Sequence, residues 1–452
     1  MKRLNTAGYA FLLYAILILA LIIVSGRASH VFIEHDDWIF MSNPPSWYGT
    51  YGSPWAKTLS EGRWINFLYS FVQKELDYRV IYYIQVSLYA ILCWLFSYKT
   101  IANNIVRLAF SISLFLCMPI IEIMGWPATQ TPFILITIAF IYSFEVKNIY
   151  LRTFSGYILG LMAILTYPVA LAIMCIYMSI KASCEVKYNT SKTIKWLLFI
   201  GLFYFLSYLS GVVIIYALNS KFHGVFGVVI EAWRNPKHAH DYATLMDNIS
   251  STSLYFLDIF DYYSIILVLF IISVVVAFAS SFRSALVVMC PIVLSMTIDI
   301  LIHVYSGVDV PARSTAWLWF GFASILILLL NSNTSSIIKL LVAASLASLI
   351  YMGMSYWFDI YKPRYATEVT EDILYNKIST YGDTSFYLCT KSMSIDGMPK
   401  RGVHAFMLSM YKKHNITTRL LPWDVCVKQA NYGDGFIRKD SLGRPYIFLT
   451  NP

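Results

Sequence analysis

The sequence predicts an all-α polytopic membrane protein with about 10–11 transmembrane segments, followed by a small C-terminal α/β domain. Three observations lead there. Hydrophobic residues make up 58% of the chain and charged residues only 13%, against about 25% charged in an ordinary soluble domain. Mean hydropathy is +0.61. Charge-free runs recur through residues 1–358, and most reach the roughly 17–25 residues that a spanning helix needs.

The runs are 4–26, 80–98, 108–121, 123–144, 153–180, 196–220, 262–282, 284–298, 314–338 and 340–358. The first has a basic start and an apolar core, but the core is too long for a signal peptide and no small-x-small cleavage site follows it, so it reads as a retained helix. The 153–180 run is too long for one ordinary span and holds Tyr167-Pro168 at its centre. Proline removes a backbone donor and disfavours helix in the residue before it. The run therefore reads as two half-helices, about 154–166 and 168–181, meeting at a buried break, or as one kinked helix.

Basic residues choose between these readings. Eleven segments put the termini on opposite sides. With the N-terminus inside, twelve Lys and Arg, from Lys2 to Lys339, fall in inner loops against only Glu145 and Glu185, while the outer loops are net acidic. This is the positive-inside pattern. A single 154–181 helix would carry the lysine-rich 181–195 loop to the outer side. The net charge of +9 is thus a topology signal, and it calls for no nucleic-acid partner.

The domain organisation follows: a membrane region, 1–358, with outer loops 27–79 and 219–261, and an outer C-terminal domain, 359–452. In that domain Ser385–Cys389 and Tyr446–Thr450 read as strands. Val403–Lys413 reads as an amphipathic helix, and Gly433-Asp434-Gly435 as a turn. Of seven cysteines, Cys93, Cys117, Cys175 and Cys290 lie in apolar runs and read as core residues. Cys389 and Cys426 both fall in the outer domain, where an oxidising compartment permits either a disulfide or two free thiols.

Several outer residues have chemistry to offer. Asp36 and Asp37 directly follow the first span. Two adjacent carboxylates can share a proton, raising one pKa towards that of a general base; otherwise they are a solvated loop or a partner for Arg27 or Arg63. Arg63, between Gly62 and Trp64, suits a phosphate fork or an interfacial anchor. Arg313 opens a charge-free helix whose positive end favours a phosphate, or it snorkels. Trp233, Arg234, Lys237, His238 and His240 form a basic-aromatic cluster. His238-Ala239-His240-Asp241 offers weak metal-ligand spacing; the expectation is no metal or other cofactor, with a divalent metal at this cluster as the alternative. Asp299 and His303, one turn apart in an apolar stretch, are candidates through their depth alone.

The acidic pair after the first span, Gly62-Arg63-Trp64 some 25 residues on, the mid-chain break at Gly160–Pro168 and the outer C-terminal domain together resemble the GT-C membrane glycosyltransferases. Within that class the chain most resembles the serotype-converting O-antigen glucosyltransferases of bacteria and their prophages. It departs from their pattern in having Trp38-Ile39-Phe40-Met41 where an arginine would follow the acidic pair.

The resemblance implies a multi-pass protein of the bacterial inner membrane, with its N-terminus cytoplasmic and its C-terminal domain periplasmic. It implies transfer of a hexose, glucose in this subfamily, from undecaprenyl phosphate to O-antigen of lipopolysaccharide with inversion. Asp36 or Asp37 would be the base. Arg63, Arg313, Arg234 and Lys237 would hold the donor phosphate, and Trp38, Trp47, Trp64 and Trp233 would shape the sugar and acceptor site. Partners implied are the lipid-linked sugar, the O-antigen acceptor, the bilayer, a donor synthase and a flippase. The competing readings are an O-antigen polymerase or ligase, which needs no acidic pair after its first span, and a transporter or flippase, which usually shows internal repeats.

Overall fold

The computed structural model describes residues 6–41, 53–187, 189–308, 312–332, 335–391, 394–395, 398–430 and 437–448. The α-helices of residues 1–358 are α1 (Thr6–Val24), α2 (His35–Met41), α3 (Pro54–Glu61), α4 (Trp64–Gln73), α5 (Tyr78–Thr100), α6 (Asn104–Phe115), α7 (Met118–Ile123), α8 (Pro127–Phe144), α9 (Ile149–Ile164), α10 (Val169–Val186), α11 (Thr190–His223), α12 (Tyr242–Tyr262), α13 (Ser264–Ser306), α14 (Ala316–Ser332) and α15 (Ser336–Ser355). Many start on a side-chain cap: Asn103, Asn148, Asn189, Asp241 and Ser335 each accept a backbone N–H from the first turn that follows.

Among the described residues, eight helices are long and apolar enough to cross a membrane. Two shorter apolar helices, α6 and α9, join them. The backbone of α13 leaves helical geometry at Ser281, so two runs are merged there. These eight long helices, one of them divided, and the two shorter ones make up the eleven apolar segments counted from sequence. Helices α10 and α14 are buried along nearly their whole length. Around them, α1, α11, α13 and α15 turn large apolar side chains outward, among them Leu12, Leu19, Phe205, Val275 and Leu340. Water would penalise so much exposed apolar surface, and lipid would not.

The expected half-helices are corrected. The break falls where Pro168 predicts it, between Ile164 and Val169, with Thr166 and Tyr167 buried. Its two arms have 16 and 18 residues. At 1.5 Å per residue these are about 24 and 27 Å long; α10 is long enough to cross a membrane, and α9 is one of the two shorter apolar helices. Capping explains the difference: Asn148 starts α9 earlier than the charge-free run begins, and α10 runs past Lys181 to Val186.

Charge is partitioned by position in the bundle. Among the described residues, every ion pair joins partners from the same side of the predicted topology. Lys99 and Lys181 meet Glu145 at 4.0 and 2.8 Å, while Glu34, Glu61 and Glu122 meet Arg364, Arg63, Arg234 and Arg313, all from predicted outer segments.

Beyond α15 the helix widens through a π turn, Tyr356–Tyr361, and tightens through a 3-10 turn, Lys362–Arg364, into α16 (Tyr365–Ser379). There follow β1 (Ser385–Thr390), β2 (Ser394–Ile395), β3 (Met398–Gly402), α17 (Val403–His414), β4 (Thr417–Pro422), α18 (Trp423–Gln429), β5 (Ile437–Lys439) and β6 (Pro445–Phe448). The main sheet has the order β4-β1-β6-β5; β1 is parallel to both its neighbours, and β5 is antiparallel to β6. Its core is Phe386, Leu388, Phe406, Met410 and Ile447. A disulfide joins Cys389 to Cys426, tying β1 to α18. The predicted Gly433–Gly435 turn, Leu449 and Thr450 lie outside the described residues.

Candidate functional site

The site is built where the predicted outer loops meet the break between α9 and α10. Helix α3 begins on a Ser53 cap and ends at Gly62, whose φ of +70° gives a left-handed turn. A Cβ there would stand 2.6 Å from the Ile215 side chain, so glycine is needed for both conformation and space. The turn starts α4 against the break, where Ile65 N donates to Leu165 O at 3.2 Å. Arg63, between these two fixed points, lies with its guanidinium 5.4 Å from the centre of the Tyr167 ring.

The second loop is laid onto α3 by backbone and amide contacts. Val229 N donates to Leu59 O at 3.1 Å. Asn219, fully buried, donates to Leu59 O and Gly227 O and accepts from Trp64 Nε1 at 3.0 Å. This docking carries Glu231 and Arg234 to Glu61. Glu61 then holds three cations: Arg63 Nε at 2.7 Å, Arg234 Nη2 at 2.8 Å and Lys57 Nζ at 3.1 Å. Lys57 also lies 3.7 Å from Glu231. Although burial raises the Glu61 pKa, the Arg63, Lys57 and Arg234 charges outweigh it and hold the carboxyl at about 2. Glu61 is consequently a charge anchor and a poor base. The terminal nitrogens of Arg63 have no described protein partner.

A cavity of ≈ 270 Å³ opens at this cluster. Its polar lining includes Ser60, Arg63, Arg234, Tyr167, Ser306 and Ser314. Tyr167 Oη and Ser314 Oγ are 2.8 Å apart. Arg313, next in the chain, lies 4.6 Å over the Trp126 ring and 3.9 Å from Glu122. Lys237 is tied to the same wall by its backbone N–H, which donates to Ser306 O at 2.9 Å; its side chain is exposed.

The acidic pair lies on α2, which packs on α8. Asp37 is fully buried and accepts from Ala128 N and, at 3.1 Å, from Thr129 N. It therefore caps α8 from another element, where the helix dipole and unpaired amides favour an anion. Glu34, one turn back, is held by Arg364 Nη1 at 2.7 Å and by its own N–H to Gly125 O. Asp36 belongs to the same helix, and its side chain lies outside the described residues.

The sequence-predicted residues thus divide. Arg63 and Arg234 share the cavity, Arg313 and the Lys237 backbone adjoin it, and Asp37 is engaged in capping. Trp38 is fully buried against Tyr78, and Trp64 is buried among Trp55, Phe67 and Phe222; both rings are packing residues and neither lines the cavity. Trp47 and the Trp233 side chain lie outside the described residues. Asp299 accepts from Trp317 Nε1 at 2.7 Å, and His303 is buried against Tyr255 and Phe256.

Sequence reasoning missed Glu61, Glu231, Tyr167, Glu122 and Ser314 as site residues. For Glu61 a signal was available, since it stands two residues before Arg63; the others come together only through folding. Among the described residues no cluster of His, Cys, Asp or Glu suits a metal ion. Compared with known proteins, the chain matches no family model, no curated protein and no solved structure.

Proposed function

We propose that this protein is a membrane glycosyltransferase that takes a hexose from undecaprenyl phosphate and delivers it to a hydroxyl of an extracytoplasmic polysaccharide. The observation that carries this reading is the meeting of Arg63 and Arg234, distant in sequence, on Glu61 in a hydroxyl-rich cavity beside the α9–α10 break. A lipid-linked phosphosugar needs cations for its phosphate, hydroxyls for its sugar and access from the bilayer. Guanidinium forks suit phosphate oxygens.

In the proposed reaction an acceptor hydroxyl gives its proton to a carboxylate as its oxygen attacks the anomeric carbon. The bond from that carbon to the phosphate oxygen breaks, and its electron pair leaves with undecaprenyl phosphate. The configuration inverts. The phosphate is already a good leaving group, so cations that stabilise it on departure are the main requirement. Asp36 is the favoured base, because both carboxylate oxygens of Asp37 accept from α8 amides. Asp37 acts as a positioning residue. Arg63 and Arg234 hold the phosphate, with Arg313 at its approach. Glucose as the sugar, O-antigen of lipopolysaccharide as the acceptor, and a bacterial inner-membrane location with an outer C-terminal domain extend this reading on resemblance.

The experiment is transfer from radiolabelled undecaprenyl-phosphate-glucose to lipopolysaccharide in membranes containing the full chain. Asp36→Asn should abolish transfer while the protein stays inserted and unfolds at the wild-type temperature. Arg63→Ala and Arg234→Ala should each lose about tenfold to a thousandfold in kcat/KM. Full transfer by Asp36→Asn would sink the base assignment. No transfer by wild type from glucose or any other lipid-linked hexose would sink the reaction class.

A further inference from the structure

At the opposite end of the helices from the candidate site, α8, α9, α10 and α11 leave a groove of ≈ 300 Å³ between them. Its walls are aromatic, formed by Phe140, Phe144, Trp196, Phe199 and Phe203. Gly156 leaves room between them; a Cβ there would meet Phe140 only at an ordinary 3.5 Å. Two cations also line the groove, Arg152 at the start of α9 and Lys195 near the start of α11. Arg152 lies 5.3 Å from the Phe144 ring centre.

Neither cation has a carboxylate among the described ion pairs. The two nearest acids in the chain bond to other partners, Glu185 to the groove's own Trp196. Glu145 accepts from Tyr177 Oη at 2.6 Å and pairs with Lys181 at 2.8 Å, and Glu185 accepts from Trp196 Nε1 at 3.3 Å. An apolar slot between membrane-length helices with two uncompensated cations is complementary to one class of molecule: an acyl chain ending in an anionic phosphate. Basic residues between helices near a membrane surface bind such head groups, and their apolar stems allow the charges to reach the interface.

We propose that this groove binds an anionic phospholipid of the surrounding bilayer, with an acyl chain against Phe140, Phe199 and Phe203 and its phosphate on Arg152 and Lys195. Binding here ties α9 to α11 at the end remote from the candidate site. It is independent of the reaction proposed above.

The test uses the full chain in phosphatidylcholine bilayers, with either phosphatidylglycerol or phosphatidylcholine carrying bromine on the acyl chain. Bromine quenches indole emission on contact, and the difference between wild type and Trp196→Phe isolates the signal from the groove. In wild type, brominated phosphatidylglycerol should quench that signal several-fold more strongly than brominated phosphatidylcholine. Arg152→Ala/Lys195→Ala should weaken phosphatidylglycerol binding about tenfold or more and bring the two lipids level. Gly156→Leu, which fills the slot and keeps both cations, should remove quenching by either lipid. Equal quenching by the two lipids in wild type would overturn the proposal. So would a preference that survives in the folded double variant, or displacement of the brominated lipid by inorganic phosphate alone.

Discussion

Asp36 and Asp37 are neighbours of the same chemical type, yet the fold gives them different work. Asp37 satisfies two amides at the start of α8. Replacing it with Asn removes the charge that the helix end favours and turns one acceptor into a donor. Asp37→Asn should therefore cost about 1–3 kcal/mol of stability, read as a lower unfolding temperature in detergent, whereas Asp36→Asn should leave that temperature unchanged. Glu61 makes a second prediction. Its folded-state pKa of about 2 lies below the ordinary 4.5, so its contribution is complete above about pH 4.5 and is lost as pH falls towards 2. Glu61→Gln should remove that acid slope and cost on the order of 3 kcal/mol near neutrality, because three cations then lose their anchor; unfolding measured across pH 2–7 checks both. The acidic pair and the arginines were legible as residues. Which carboxylate was committed to capping was not, because its partners are 91 and 92 positions away.

Among the elements, the close approach of α9 to α11 positions the break. A Cβ on Gly211 would stand 2.6 Å from Ile164, and one on Gly160 2.6 Å from Ser207 Oγ. Small residues let helix backbones pack closely in lipid, where van der Waals contact replaces the hydrophobic effect as the driving force. Gly211→Leu should push α9 away and cost about 1–3 kcal/mol. It should also lower transfer, since Leu165 and Tyr167 at the end of α9 locate α4 and Arg63; thermal unfolding and a transfer assay on the same preparation check this. Pro168 made the break legible, and the alternation of charge-free runs made the helices legible. Helix lengths were not, because caps such as Asn148 and Asn189 lie outside the charge-free runs that define a span.

In the whole molecule, the C-terminal α/β unit closes over α2. Helix α17 packs on α2, and Lys412 Nζ donates to Lys74 O at 2.6 Å. Lys413 pairs with Glu368 and Glu371 while lying 5.3 Å from the ring centres of both Trp38 and Tyr78. Next to it, His414 stacks on Tyr375 with ring centres 3.4 Å apart. Burial, aided by Lys413 and Arg79 and opposed by Glu371 and Asp372, lowers the His414 pKa to about 4. Its folded value lies below the ordinary 6.5, so the unfolded chain takes up the proton first, and the stability it gives above pH 6.5 falls as pH drops towards 4. Limited proteolysis should release the C-terminal unit more readily at pH 5 than at pH 7, and His414→Phe, which keeps the stacking, should flatten that difference.

The sequence by itself determined the helical, apolar character of the chain, the count of its apolar segments, the mid-chain break and the small terminal sheet. Each depends on local composition or period, which a chain carries whatever its neighbours are. Only the tertiary structure decided that Glu61 gathers Arg63 and Arg234, that Asp37 caps α8 and that Trp38 and Trp64 are packing residues. Charges and aromatic rings take their roles from partners, and those partners are brought together from loops that only helix packing makes adjacent.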